Sequence, residues 1–246
     1  MNKIKSFFLS MLVSFACCPA SYADIKIGTL YFDPPFVYSL NQGFDIDLSR
    51  VICKHLQETC EFIPMNFVNI FPALNQGKID IAIGGLPIPS PPDIDYIYSL
   101  PYLLNQGQFM VLKDSNINSV DQLKGATVGV VRGKSTGSVF SSYLTETYSN
   151  AFQLKQYDDM EDVITALTNK KVSASFMHRS TVNYWVQNAG EQFKPMGKIV
   201  IIGNGIAILA TPKQNQLIEK INTILQVIEK DGTYLKLYNT YFPDEL

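Results

Sequence analysis

Metal-binding side chains are scarce in this sequence. Its only histidines are His55 and His178, at no finger-like spacing, and its four cysteines are Cys17, Cys18, Cys53 and Cys60. A structural zinc site needs four soft ligands in register, so no metal and no cofactor is expected. Clusters of lysine and arginine are also absent, which removes the usual footprint of a nucleic-acid partner. No apolar run after the first 23 residues is long enough to be transmembrane. Tandem repeats and low-complexity segments are missing too. The proline-rich stretch from Pro87 to Pro92 has too few residues for a linker and reads as a rigid loop.

What is present begins with a short basic end, Lys3 and Lys5, followed by an apolar run from Phe7 to Ala16. That run falls short of the about 20 residues a membrane-spanning helix needs. Ser21 and Ala23 place small residues where signal peptidase reads, so residues 1–23 are expected to be a cleaved signal peptide. A lipoprotein would use Cys17 or Cys18, but neither has an aliphatic residue three positions before it. Loss of Lys3 and Lys5, with no acid, moves the formal net charge from −2 to −4. The remaining chain is long enough for one large domain or two lobes of about 100 residues each. Cys53 and Cys60 are then the only cysteines left. A single pair in an exported chain reads as a disulfide, because the periplasm is oxidising.

Ile25 to Leu30 alternates as a strand, and Asp33-Pro34-Pro35-Phe36 breaks it into a loop. Asp45 is expected to cap a helix whose apolar face is Leu48, Val51, Ile52 and Leu56. Glu61 to Met65 reads as a strand, Ile70 to Asn75 as a short helix, and Ile79 to Ile83 as the next strand. Strand-helix-strand-helix-strand predicts a parallel sheet with crossover helices. The pattern restarts with apolar Phe109 to Leu112. Strands are expected at 126–131, 172–176 and 198–202, with helices at 159–169 and 180–188. The chain ends with a helix striped by Leu217, Ile218, Ile221, Ile224, Leu225 and Ile228, then one carrying Tyr234, Leu237, Tyr238 and Tyr241.

Four ordered segments carry a family resemblance. They are Gly43-Phe44-Asp45-Ile46-Asp47-Leu48 after Pro34-Pro35-Phe36, the Cys53–Cys60 segment, Phe71-Pro72-Ala73-Leu74-Asn75-Gln76-Gly77-Lys78-Ile79-Asp80, and Asp231-Gly232-Thr233-Tyr234 with Tyr241-Phe242. Together they resemble the amino-acid-binding proteins of ABC importers, of the lysine/arginine/ornithine and histidine type. The resemblance covers essentially the whole chain after residue 23. It implies an α/β fold of two lobes, each a mainly parallel sheet flanked by helices, with the ligand cleft between them. The first lobe is then 24–106 with 206–246, and the second is 107–205. The ligand sits beyond the carboxyl ends of the strands, and the lobes close on it like a hinge.

A free amino acid asks for a donor set around its carboxylate, a carboxylate near its ammonium and a matched side-chain pocket. The resemblance places an aromatic platform for the ligand side chain at Phe67, which suits a planar cation; the plain alternative is a core aromatic. Asp33 stands where relatives often carry tyrosine. It is open to two readings, a partner for a basic group or a turn former before two prolines. Of Tyr31 and Phe32, one is expected in the cleft and the other in the core. Gly84, Gly85 and Pro87 match the loop that meets the ligand through its main chain. Ser135 and Thr136 match a helix start that receives a carboxylate. Gly133-Lys134-Ser135-Thr136 also imitates part of a phosphate-binding loop, but Val128 occupies the position of the required earlier glycine.

Two departures from the family stand out. Pro92 occupies the position of its carboxylate-clamping arginine, and His178 that of its ammonium-binding aspartate. Arg132, Lys134 and Arg179 are candidates to replace the arginine, Arg132 being best placed, and Asp33 to replace the aspartate. His178 either donates to a ligand or closes a hydrogen bond at a strand end, and it would make binding sensitive to pH between about 5 and 8. The expected function is a monomeric, non-catalytic receptor for a basic amino acid, delivering it to an inner-membrane ABC permease. The alternatives are an enzyme like the cyclohexadienyl dehydratases that share this fold, and a ligand sensor without transport.

Overall fold

The computed structural model describes residues 24–133, 139–149 and 151–243. The expected signal peptide, and with it Cys17 and Cys18, lies outside the described residues. Two five-stranded sheets form the scaffold. The first is built from β1 (Ile25–Thr29), β2 (Cys60–Pro64), β3 (Ile81–Ala82), β4 (Ile97–Tyr98) and β10 (Leu209–Ala210). The second holds β5 (Gln106–Leu112), β6 (Thr127–Val131), β7 (Gln153–Tyr157), β8 (Ala174–His178) and β9 (Phe193–Ile201). Helices α1 (Phe44–Leu56), α2 (Phe67–Asn75), α6 (Asn215–Lys230) and α7 (Thr233–Tyr241) accompany the first sheet. Helices α3 (Val139–Tyr148), α4 (Met160–Thr168) and α5 (Arg179–Asn188) accompany the second.

The strand orders are β2-β1-β3-β10-β4 and β7-β6-β8-β5-β9. In each sheet the crossover units supply three parallel strands; one strand, β10 or β5, runs antiparallel beside them, and the edge strand beyond it, β4 or β9, again runs in the crossover direction. The sheets are therefore mixed, since the segments that pass between the lobes arrive against the direction of the crossover strands. Asn105, fully buried, ties these passing segments together. Its carbonyl accepts the Ile202 N–H at 3.0 Å, and its side-chain amide donates to the Ile202 carbonyl at 2.9 Å.

Burial follows the sequence pattern. Ile218, Ile221, Ile224, Leu225 and Ile228 form the inward stripe of α6 and close the first core against Ile27, Phe44, Ile46 and Leu48. In the second sheet neighbouring residues split between two cores. Phe109 and Phe176 face one, and Met110 and Met177 the other. Such strands are buried on both faces and read as continuous apolar runs.

Two local expectations change. Helix α2 begins at Phe67, a turn earlier than its periodicity suggests. Asp45 does not cap α1. Gly43 takes the cap position at φ 143°, and Asp45 lies inside the first turn, fully buried. The sulfurs of Cys53 and Cys60 are bonded, with their Cα atoms 6.2 Å apart, joining the last turn of α1 to the start of β2.

Candidate functional site

A cavity lies between the two sheets, and its wall is assembled from the carboxyl ends of parallel strands. Leu30, Tyr31, Phe32 and Asp33 follow β1. Met65, Asn66 and Phe67 link β2 to α2. Gly84, Gly85 and Pro87 follow β3. The second sheet contributes Val131 and Arg132 at the end of β6, Asp158 to Glu161 after β7, Phe176, Met177 and His178 at the end of β8, and Phe140 from α3. Crevices beyond strand carboxyl ends are where open α/β sheets hold ligands.

Tyr31, Asp33, Phe67, Gly84, Gly85, Pro87, Arg132 and His178 thus share one cavity. Ser135 and Thr136, with Lys134, lie outside the described residues. Arg179 is not in the wall; its Nη1 donates to Gln106 Oε1 at 3.1 Å. Neither Tyr31 nor Phe32 enters the core. β1 ends at Thr29, and with it the strict alternation on which that expectation depended. Tyr31 is exposed, and Phe32 crosses to α5, with its ring 6.3 Å from Tyr184 and 6.2 Å from Trp185.

The glycine loop after β3 is fixed from behind. Gly85 has φ 64°, and a Cβ there would sit 2.8 Å from Phe36 Cδ2. Its N–H donates to Asp45 Oδ2 at 2.6 Å, and the Tyr102 hydroxyl donates to the same oxygen at 2.9 Å. Burial raises the Asp45 carboxyl to about 7, against the two hydrogen bonds, which lower it.

Asp33 is buried, yet it borders the cavity. Its Oδ1 accepts the Thr181 hydroxyl of α5 at 3.2 Å, a bond between the two lobes. Burial raises its carboxyl to about 7; the Thr181 bond opposes this and the Asp45 charge adds to it. His178 is buried as well, with Phe36 and Phe140 rings edge-on at 5.0 and 4.7 Å. Burial lowers it to about 4, against a hydrogen bond with the Gly85 backbone that favours the cation. The imidazole is therefore neutral above pH 5, and the expected sensitivity between pH 5 and 8 does not arise from it. Its Nδ1 has no hydrogen-bond partner among the described residues.

Arg132 Nε meets Asp158 Oδ1 at 2.9 Å, both side chains about half exposed at 52% and 54%. Asp159 Oδ1 accepts the Asp162 N–H at 2.8 Å and caps α4. Phe67 is half-buried, with its ring 5.5 Å from Phe71 in a T-shaped pair. The charged wall residues Asp158 and Glu161 escape sequence reasoning, although both follow β7. The usable signal was positional: whatever follows a parallel strand at its carboxyl end belongs to the wall.

Fold and cavity together define a two-lobed cleft protein. The chain belongs to the bacterial extracellular solute-binding proteins, family 3, whose pattern matches residues 25–244. It is 27% identical over 241 residues to an ABC transporter arginine-binding protein 1 of Escherichia coli K12, covering 95% of this chain and 97% of that one. It is 28% identical over 250 residues to the lysine/arginine/ornithine-binding periplasmic protein of the same organism, covering 95% of each. A crystal structure of an arginine 3rd transport system periplasmic binding protein from Legionella pneumophila superposes with a TM-score of 0.81 at 36% identity, covering 89% of this chain and 99% of that one.

Proposed function

We propose that this protein is the periplasmic receptor of an ABC importer for a basic amino acid, with arginine the leading ligand. The observation that carries this reading is the cavity wall: the Phe67 ring shares it with the carboxyl groups of Asp33, Asp158 and Glu161. An aromatic face beside acids suits a planar cation. The arginine-binding names of the relatives support the same ligand. In this reading residues 24–106 with 206–246 form the first lobe and 107–205 the second. Ligand closes them because only the closed form touches it from both sides. Gly84, Gly85 and Pro87 meet it through the main chain, Arg132 shares its charge between Asp158 and a ligand carboxylate, and Ser135 and Thr136 receive that carboxylate. His178 meets it as a neutral imidazole. The chain is exported by a signal peptide over residues 1–23, acts as a monomer without catalysis, and presents its closed form to an inner-membrane permease. Thermal-shift measurement with arginine, lysine, ornithine, histidine and glutamine tests it. A bound ligand raises the melting temperature by mass action. A rise with arginine or another basic member is expected; no rise with any of them overturns the reading.

A further inference from the structure

We propose that the cleft exchanges a proton for its ligand: Asp33 is neutral in the empty closed cleft and ionises when the cationic group of the ligand docks against it. This rests on the reading above that the ligand is a cation. Asp33 borders the cavity at only 5% exposure. Among the described residues no lysine or arginine pairs with it. Behind it stands a second buried carboxyl, Asp45, whose charge opposes its ionisation. Two buried carboxylates without a counter-cation do not both stay ionised.

The groups around Asp33 leave it the role of exchanger. Asp45, from α1, is already held by the Gly85 N–H and the Tyr102 hydroxyl and does not border the cavity. His178, at the end of β8, is neutral. Arg132 is engaged by Asp158, and Arg179 is turned to Gln106. From α5, Thr181 places a hydroxyl on Asp33. A hydroxyl serves both states, accepting from the protonated acid and donating to the carboxylate. The exchange balances simply. The Asp33 O–H proton goes to solvent, the ammonium or guanidinium keeps its own protons, and the buried charge is paired. The burial that raises Asp33 to about 7 puts the exchange within the ordinary pH range.

Calorimetric titration of the full mature chain with L-arginine at pH 6, in two buffers of different ionisation enthalpy, counts the protons. Close to one proton released per arginine is expected, with affinity falling nearly tenfold per pH unit below pH 6.5 and levelling above about 7.5. Asp33→Asn, shown to be folded by a cooperative thermal melt at pH 8, is expected to bind more weakly, release no proton and lose the pH dependence. Binding by the wild type without proton release overturns the exchange while leaving the arginine reading intact. The same proton released by D33N overturns it equally, since another group then titrates. Absence of any binding heat removes the arginine reading and this one with it. Should D33N not fold, Thr181→Val carries the test. It keeps Asp33 but withdraws the donor to its ionised form, so the pH midpoint of binding moves upward; an unmoved midpoint counts against the proposal.

Discussion

Phe67 occupies the first position of α2, one edge against Phe71 and part of its surface in the cavity wall. A stacked cation there is worth about 1–2 kcal/mol, so Phe67→Ala is expected to weaken arginine binding about five- to thirtyfold. The residue is only half-buried, so the fold should survive with a stability loss near 1 kcal/mol from the lost aromatic pair. Calorimetry and circular dichroism on one sample separate the two effects, and an unchanged dissociation constant would exclude Phe67 from the site. Gly85 carries the opposite kind of demand. Its φ of 64° and the 2.8 Å approach of a Cβ to Phe36 leave no room for a side chain. Left-handed backbone costs about 1–2 kcal/mol and overpacking about 1–3 more. Gly85→Ala should therefore lower unfolding stability by about 2–5 kcal/mol in urea. A loss under about 1 kcal/mol would mean that the loop relaxes and that its N–H bond to Asp45 does not fix it.

At the scale of elements, the Cys53–Cys60 bond closes a short loop between α1 and β2. Constraining so short a loop in the unfolded chain contributes about 2–3 kcal/mol. The Cys53→Ser/Cys60→Ser double variant should show that loss in urea denaturation, and a loss below about 1 kcal/mol would mean that the loop is already restricted without the bond. Elements with strong periodicity were legible from sequence. The α6 stripe and the apolar strand β6 stand where their patterns place them, and β8 runs two residues later than expected, from Ala174 to His178. β4 and β10 were not legible, because two residues have no period. β7 was missed because its residues are largely exposed, and its two half-buried ones, Leu154 and Tyr157, pack against different cores and set no simple alternation. Asp45 misleads for a different reason. An aspartate before an apolar run is a good cap in isolation. Here Gly43 starts the helix instead, and the carboxylate accepts a backbone donor forty residues away, a partner that no local pattern reveals. The site divides in the same way. Phe67 and the glycine loop were legible through the resemblance, whereas Asp158, Glu161 and the Asp33–Thr181 bond required the second sheet to be in place.

For the whole molecule, folding buries three titratable groups with opposite consequences. Asp33 and Asp45 are each raised from 3.8 to about 7. Their contribution is complete below pH 4 and is lost as pH rises through 7, because the folded state then binds protons that the unfolded chain has released. His178 is lowered from 6.5 to about 4, so its contribution is complete above pH 6.5 and is lost as pH falls toward 4. Between those limits the two carboxyls outweigh the one imidazole by a single proton, on the order of 1.4 kcal/mol per pH unit. The ligand-free protein should accordingly melt at a higher temperature at pH 5 than at pH 7.5. Saturating arginine should weaken that trend, since a cation beside Asp33 removes one of the two raised carboxyls from the balance. Asp45→Asn offers a separate check. The amide oxygen still accepts from Gly85 and Tyr102, one acid is gone, and the remaining Asp33 and His178 slopes oppose each other. The melting temperature of D45N should then be nearly level from pH 5 to 6.5. Scanning calorimetry of both proteins across this range decides the matter: a wild-type melting temperature that rises from pH 5 to 7.5 would mean that the two carboxyls stay ionised in the folded protein.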